Sequence, residues 1–300
     1  MAAENWLRPE ELYRLVCRPA LAKDASDVVE LTRTIWDGHD YIPMVWADWL
    51  ADPEGLFAIA EYGGRVVGLI KLTHQGPQEW WLEGLRVHPQ FTRRGFASHL
   101  FDYIMDYWQR NGDGVIRLAT ASNNLTIHHL CDQRGFLKIA EYTAFAAPVL
   151  PTGKKIERTG FRSVVQEEIP SAVAFALESP AVHLAFDLVD LGWQWARPSA
   201  SHLESVLQEC QAFWWRGDRG LVALDDETDD EGVKAPTIRL AACTLSEIIA
   251  LLLDYRRLAA VLGYSKGGWI APFHDDLLPL LKKTGFERDW DMSLYIFEKR

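Results

Sequence analysis

Leu85-Arg86-Val87-His88-Pro89-Gln90-Phe91-Thr92-Arg93-Arg94-Gly95-Phe96-Ala97, continued by Ser98-His99-Leu100-Phe101-Asp102-Tyr103-Ile104, reads as a strand end, a tight basic turn and a helix. The first N–H groups of a helix have no partner within it. Together with the positive end of the helix dipole they form a seat for a phosphate or pyrophosphate. Gly95 lets the backbone come close to such a ligand, and Ala97 keeps the first turn uncrowded. Arg93 and Arg94 add positive charge beside the donors. The stretch is a candidate seat for a phosphorylated ligand.

Upstream, Leu15–Arg18 reads as a strand and Lys23–Ile35 as an amphipathic helix with Val28, Val29, Leu31 and Ile35 on one side. Trp36–Pro43 is a loop, and a short helix follows over Met44–Leu50. Leu56–Glu61 and Val66–Thr73 flank Gly63-Gly64, a hairpin signal. Trp80–Val87 is the next strand, Gly95–Asn111 the helix, Val115–Thr120 a strand, Leu125–Arg134 a helix and Phe136–Ala146 an extended segment. This order implies an α/β fold, a mixed sheet flanked by helices. The boundaries are a first domain over 1–147, a linker over 148–160 rich in Pro, Gly, Thr and Lys, and a second domain over 161–300.

The second half reads as a degraded copy of the first. Leu252-Leu253-Asp254-Tyr255 resembles Leu100-Phe101-Asp102-Tyr103, and Thr284-Gly285-Phe286 resembles Arg134-Gly135-Phe136. Asp102 and Gly135 are 33 residues apart, and Asp254 and Gly285 are 31 apart. Where the first half has Gly95, the second has Glu247, which would repel a phosphate. Helices are predicted over Ser171–Leu177, Ser201–Trp214, Ser246–Leu262 and Asp275–Lys283, and strands over Leu221–Leu224, Thr237–Ala242 and Met292–Glu298. The acidic run from Asp225 to Gly232 reads as an exposed loop.

A net charge of −11 argues against binding nucleic acid or an acidic membrane, so the basic group Arg86, Arg93 and Arg94 suits a small anion. The 48% hydrophobic content supports full cores. Cys17, Cys131, Cys210 and Cys243 are scattered, with no CxxC pair, so neither zinc nor a disulfide framework is expected. Scattered thiols and the lack of a leader pattern point to the cytoplasm. No apolar run is long enough for a membrane helix.

The order Val-x-Pro, three residues, Arg-Gly-x-Ala and an apolar helix resembles the acetyl-CoA pyrophosphate loop of the GNAT superfamily of N-acetyltransferases. Asn124, Ile127, Leu130 and Gly135-Phe136 resemble that family's late helix, and Leu15–Ala20 with Asp24 and Asp27-Val28-Val29 its first strand and helix. Within the family, Asp40-Tyr41-Ile42-Pro43 and Glu83-Gly84-Leu85-Arg86-Val87 resemble segments of histidine N-acetyltransferase-like proteins. The resemblance implies a GNAT fold followed by a degenerate GNAT-like domain. It implies acetyl-CoA as co-substrate, no metal, and direct transfer of acetyl to a small-molecule amine, with a free amino acid as a candidate, by a monomer or homodimer. The family usually has Gln or Arg where Thr92 stands, and a general-acid Tyr where Cys131 stands.

Acetyl transfer needs a neutral amine, a held thioester and a stabilised oxyanion. Glu83 is the candidate base: alternation puts it with Leu85 and Val87 on one face and Gly84 and Arg86 on the other, and the preceding Trp80 and Trp81 would desolvate its carboxylate. The resemblance assigns acetyl-CoA contacts to Leu85, Arg86, Val87, Thr92, Arg93, Arg94, Gly95, Phe96, Ala97, Ser98, Asn124 and Cys131. Asp37, His39, Asp40, Tyr41 and Trp81 form the candidate acceptor site, where carboxylates and rings could hold an ammonium. Asn124 also suits a helix cap, and His74 is a second candidate base. The competing functions are a non-catalytic acyl-CoA-binding module and a protein N-acetyltransferase.

Overall fold

Gly63-Gly64 joins β2 (Leu56–Tyr62) to β3 (Arg65–Gly76), an antiparallel pair that begins the first sheet. The computed structural model describes residues 15–33, 35–152, 159–228 and 232–300, and of Trp36 and Asp37 the backbone alone. The chain divides into two compact units, one over Met1–Leu118 with Lys299–Arg300 and one over Ala119–Glu298. The first unit's sheet runs β1 (Leu15–Pro19), β2, β3, β4 (Glu79–Val87) and β5 (Val115–Ala121). All its pairings are antiparallel except β4 with β5, which is parallel, Glu79 opposite Val115 and Trp81 opposite Arg117. A parallel pair needs a crossover, supplied here by α3 (Phe96–Asn111).

Both faces of that sheet are covered. On one, α1 (Ala25–Thr32) and α2 (Ile42–Ala51) bury Val28, Leu31 and Ile42 against Phe57, Ile59 and Leu69. On the other, α3 buries Phe96, Leu100, Phe101, Ile104, Met105 and Trp108. Each such side chain contributes about 1.5–3 kcal/mol on burial. Gly68 admits α3 to the sheet, since a Cβ there would lie 2.9 Å from Leu100 Cδ1 and from the Arg86 carbonyl. Pro43, read from the sequence as closing a loop, sits in the first turn of α2, where its missing N–H is not needed.

From β7 onward the second unit repeats the first unit's succession of a strand, helices, three antiparallel strands, a crossover helix and a strand parallel to the third. It opens with α4 (Leu125–Gln133), β6 (Leu137–Pro148) and β7 (Phe161–Ser163), then α5 (Ile169–Leu177), α6 (Pro180–His183) and a hairpin of β8 (Val189–Asp190) and β9 (Trp195–Ala196). Next come α7 (Ala200–Glu209), β10 (Gln211–Trp215), β11 (Gly220–Thr228), β12 (Lys234–Cys243), α8 (Ile248–Val261) and β13 (Lys266–Pro272). Last come α9 (Leu278–Lys283), β14 (Glu287–Arg288) and β15 (Leu294–Lys299). β12 and β13 are parallel, joined by α8, as β4 and β5 are by α3. β6 lies between β13 and β15, antiparallel to both. Two apolar clusters cover the two faces, one around Leu251, Leu252, Tyr255 and Leu258 of α8, the other around α5 and α7.

Three sequence readings differ from the structure. The Ser201–Trp214 helix stops at Glu209, and Phe213-Trp214-Trp215 pair with β11 as strand, because bulky aromatics fit a covered sheet. The acidic run is strand through Thr228: Asp225 is paired with Arg239, and Glu227 accepts from Trp193. Asp229, Asp230 and Glu231 lie outside the described residues. Strand β13 had no sequence counterpart. No helix among the described residues is long and apolar enough to cross a membrane.

Candidate active site

A bulge in β4 organises the first unit's polar cluster. Lys71 faces Glu83 and Leu69 faces Arg86, so Gly84 and Leu85 share the space opposite one residue of β3, Ile70. Gly84 has φ +69, and a Cβ on it would lie 2.6 Å from the Trp49 ring. The bulge reverses the alternation beyond it. Glu83 and Arg86 therefore stand on the same face, that of α2, whereas strict alternation had separated them. Val87, opposite Gly68, turns to the α3 side.

Around Glu83, Thr73 Oγ1 donates to its Oε1 at 3.2 Å. Lys71, 1% exposed, donates to Leu72 O at 2.7 Å and is ion-paired with Asp52. Burial pulls the Lys71 ammonium below the ordinary lysine range, against the pull of Asp52 and Glu83. Burial also opposes ionisation of Asp52, yet Lys71 and the N–H groups of Glu54 and Gly55 hold its carboxyl below the usual range.

Beside them, Asp40 is buried and accepts from Arg86 Nε at 2.9 Å and from Ile42 N at 3.2 Å. The guanidinium lies 5.7 Å from the centre of the Tyr41 ring. Burial first, then the field of Glu83, raises the Tyr41 phenol, which stays protonated. Tyr41 packs edge-on to Trp49 at 5.9 Å. Trp81 is buried two residues before Glu83 on the same face. Asp40, Tyr41, Trp81, Glu83 and Arg86 thus share one face, with Arg86 bound to Asp40. His39 is exposed, and the Asp37 side chain lies outside the described residues. His74 points to the other face, where it pairs with Glu54 at 3.0 Å and packs on Trp80.

β4 leads into the basic turn. Thr92 Oγ1 donates back to Pro89 O at 3.0 Å, so its side chain closes the turn. Arg94 lies 5.4 Å from the Phe91 ring, and Arg93 is exposed. Gly95, φ +84, is the N-cap of α3, and no side chain caps the helix. Phe96 is buried and anchors the first turn, while Ala97 and Ser98 are half-buried. Such an end offers N–H groups and a positive dipole end to an anion.

Asn124 and Cys131 lie in the second unit. Asn124 caps α4, its side chain accepting from Ile127 N at 3.4 Å. Cys131 is fully buried, and burial pushes its thiol up to about 12, which makes it a poor acid. His128 stacks on Tyr295 at 5.4 Å and its Nε2 lies 3.1 Å from Ala121 O. Among the described residues, no three His, Cys, Asp or Glu side chains are placed to hold a metal ion.

Sequence reading overlooked Lys71, Thr73 and Asp52. A lysine inside Val66-Val67-Gly68-Leu69-Ile70-Lys71-Leu72 was a usable signal, because a charge in a covered strand needs a partner. Its partner Asp52 could not be read from spacing.

A family model described as acetyltransferase (GNAT) family matches residues 22–136. A human protein, probable N-acetyltransferase 16, is 28% identical over 214 residues, 66% of this chain and 58% of that protein. Histidine N-acetyltransferase of Xenopus tropicalis is 30% identical over 82 residues, 27% of this chain and 25% of that protein. The matched segments therefore span a little over half, or less, of these relatives. Among solved structures, a GCN5-related N-acetyltransferase from Sphaerobacter thermophilus aligns with TM-score 0.64 at 13% identity, covering 95% of each chain. A tandem GNAT protein from the clavulanic acid biosynthesis pathway aligns at 0.61 and 13%, covering 95% of this chain and 98% of that one. Likeness at such identities concerns the fold alone.

Proposed function

The chain belongs to the acetyltransferase (GNAT) family through its residues 22–136, and from that premise we propose that it is an acetyl-CoA-dependent N-acetyltransferase acting on a small-molecule amine of the free amino acid class. One observation carries the reading. The bulged strand that brings Glu83, Tyr41 and the Asp40–Arg86 pair together leads through the basic turn into a helix whose N-terminus no side chain caps.

In this reading the N–H groups after Gly95, with Arg93 and Arg94, hold the pyrophosphate of acetyl-CoA. The bulge leaves β4 irregular at Gly84-Leu85, which suits a backbone N–H turned to the acetyl carbonyl. Glu83 takes a proton from the incoming ammonium, directly or through water. The freed amine attacks the acetyl carbonyl carbon; a C–N bond forms and the C–S bond breaks. The sulfur leaves as thiolate, itself a fair leaving group, so the buried Cys131 thiol is not required. Asp40 fixes Arg86, and Tyr41 keeps a phenolic O–H; both shape the acceptor side. The histidine N-acetyltransferase relatives support a free amino acid as acceptor. The four scattered cysteines and acidic charge support a cytoplasmic protein.

The test is release of CoA thiol from acetyl-CoA against free amino acids, polyamines and aminoglycosides. The expected result is turnover with one amino acid, histidine first. Acetyl-CoA binding without turnover across the panel would replace this reading with a protein acceptor or a non-catalytic role.

A further inference from the structure

The second unit contains a cavity of about 440 Å³ that the acetyl-transfer reading leaves unused. Its volume lies in the range of small-molecule sites, roughly 300–1,000 Å³. Its walls include Trp193, Trp269 and Trp290, and its charged residues are Glu227, Asp289 and Lys266.

The aromatic wall is built rather than incidental. Trp193 stacks on Trp290 with ring centres 5.6 Å apart. Its indole N–H donates to Glu227 Oε1 at 3.2 Å. Its backbone holds φ +64, which is costly for a bulky residue, and Asp190 Oδ1 secures it by accepting from the N–H groups of Gly192 at 2.9 Å and Trp193 at 2.7 Å. Even so, Trp193 remains 44% exposed. With Trp290 stacked on it and Trp269 beside it, Trp193 gives the cavity a fixed, open aromatic wall rather than a lone exposed ring.

The charge balance points to the ligand's sign. Lys266 and Asp289 approach to 3.8 Å and offset one another, which leaves Glu227 as the cavity's net charge. Arg239, behind it, is committed to Asp225. Indole faces beside a carboxylate attract cations through the ring quadrupole and the direct charge. We propose that this cavity binds a small organic cation of the substituted-ammonium class, seated against Trp193 and Trp290 with Glu227 as counter-charge. The site is independent of the acetyl-transfer reading.

Calorimetry on the full chain tests it, with choline as probe and its uncharged carbon isostere dimethylbutanol as control. Choline is expected to bind one molecule per chain, and dimethylbutanol about tenfold more weakly. Trp193→Ala and the isosteric Glu227→Gln should each weaken choline about tenfold with melting temperature retained. Glu83→Gln should leave choline binding unchanged. Equal affinity for the two probes, no binding of either, or full choline affinity in Trp193→Ala would overturn the proposal.

Discussion

Two corners of this molecule have the same order of elements and opposite electrostatics. At the first, β4 turns into α3 through Arg93, Arg94 and Gly95, and the helix end is uncapped. At the second, β12 turns into α8 through Thr244-Leu245-Ser246, and the N-cap is Glu247, held by Arg219. The strands before them also differ. β4 bulges at Gly84-Leu85 below a polar cluster; β12 bulges at Arg239, which Asp225 holds. Both corners bury comparable apolar faces, Leu100, Phe101 and Ile104 on α3, Leu251, Leu252 and Tyr255 on α8. Packing preserves the architecture in both, while a few residues at each turn decide whether an anion can be held. A carboxylate at a helix N-terminus stabilises the helix but repels a phosphate.

The largest effect should come from Glu83→Gln. The account expects kcat to fall by about 10³-fold or more with acetyl-CoA affinity retained, measured by thiol release and by calorimetry. An unchanged kcat would remove the chemical distinction between the halves.

The next effect is structural. Asp40→Asn leaves Arg86 without its buried counter-charge and should lower stability by about 3 kcal/mol in urea melts. In the second unit, Asp254 accepts from Trp215, Arg216 and Arg257. Asp254→Asn should destabilise while leaving turnover intact, whereas Asp40→Asn should impair both.

Gly95→Val places a β-branched residue at φ +84 and should weaken acetyl-CoA by about tenfold to a hundredfold. Glu247→Gln should not change that affinity. If it did, α8 would belong to the acetyl-CoA site.

The pH responses should have opposite signs. Burial pushes Asp190 up to about 6, above the ordinary carboxyl value of about 3.9. The folded state therefore binds the extra proton, and its stabilisation, present below about pH 4, is lost as pH rises through about 6. In the first unit, Arg18 above all holds Asp24 below the usual range, so that contribution is lost as pH falls. Melting temperatures across pH 3 to 7 should lose the falling slope in Asp190→Asn, worth about 3 kcal/mol for a shift from about 3.9 to about 6, and the rising slope in Asp24→Asn.

The smallest effect is at α4, whose N-cap Asn124 accepts from Ile127 N, where the N-cap of α9, Leu277, offers no side-chain cap. Asn124→Ala should cost about 1 kcal/mol of stability. A much larger loss of kcat would give Asn124 a role beyond capping.

Much of this was legible in the chain. The basic turn, Gly95 and the helix after it follow from local rules, as does the acidic replacement at Glu247. The cluster on β4 was half legible: Glu83 and Tyr41 were named, but the face shared by Glu83 and Arg86 depends on a bulge, and one extra residue reverses every side chain beyond it. Lys71 with Asp52, and Trp193 with Trp290, are brought together by tertiary packing over separations that no periodicity encodes. The strands Phe213–Trp215 and Asp225–Thr228 were misread because cross-strand partners, which composition does not reveal, decide them.

Calorimetric stoichiometry of acetyl-CoA on the full chain tests the central contrast most directly. The account predicts one molecule per chain, lost in Arg94→Glu and kept in Glu247→Gln. Two molecules per chain, or one that survives Arg94→Glu, would contradict it.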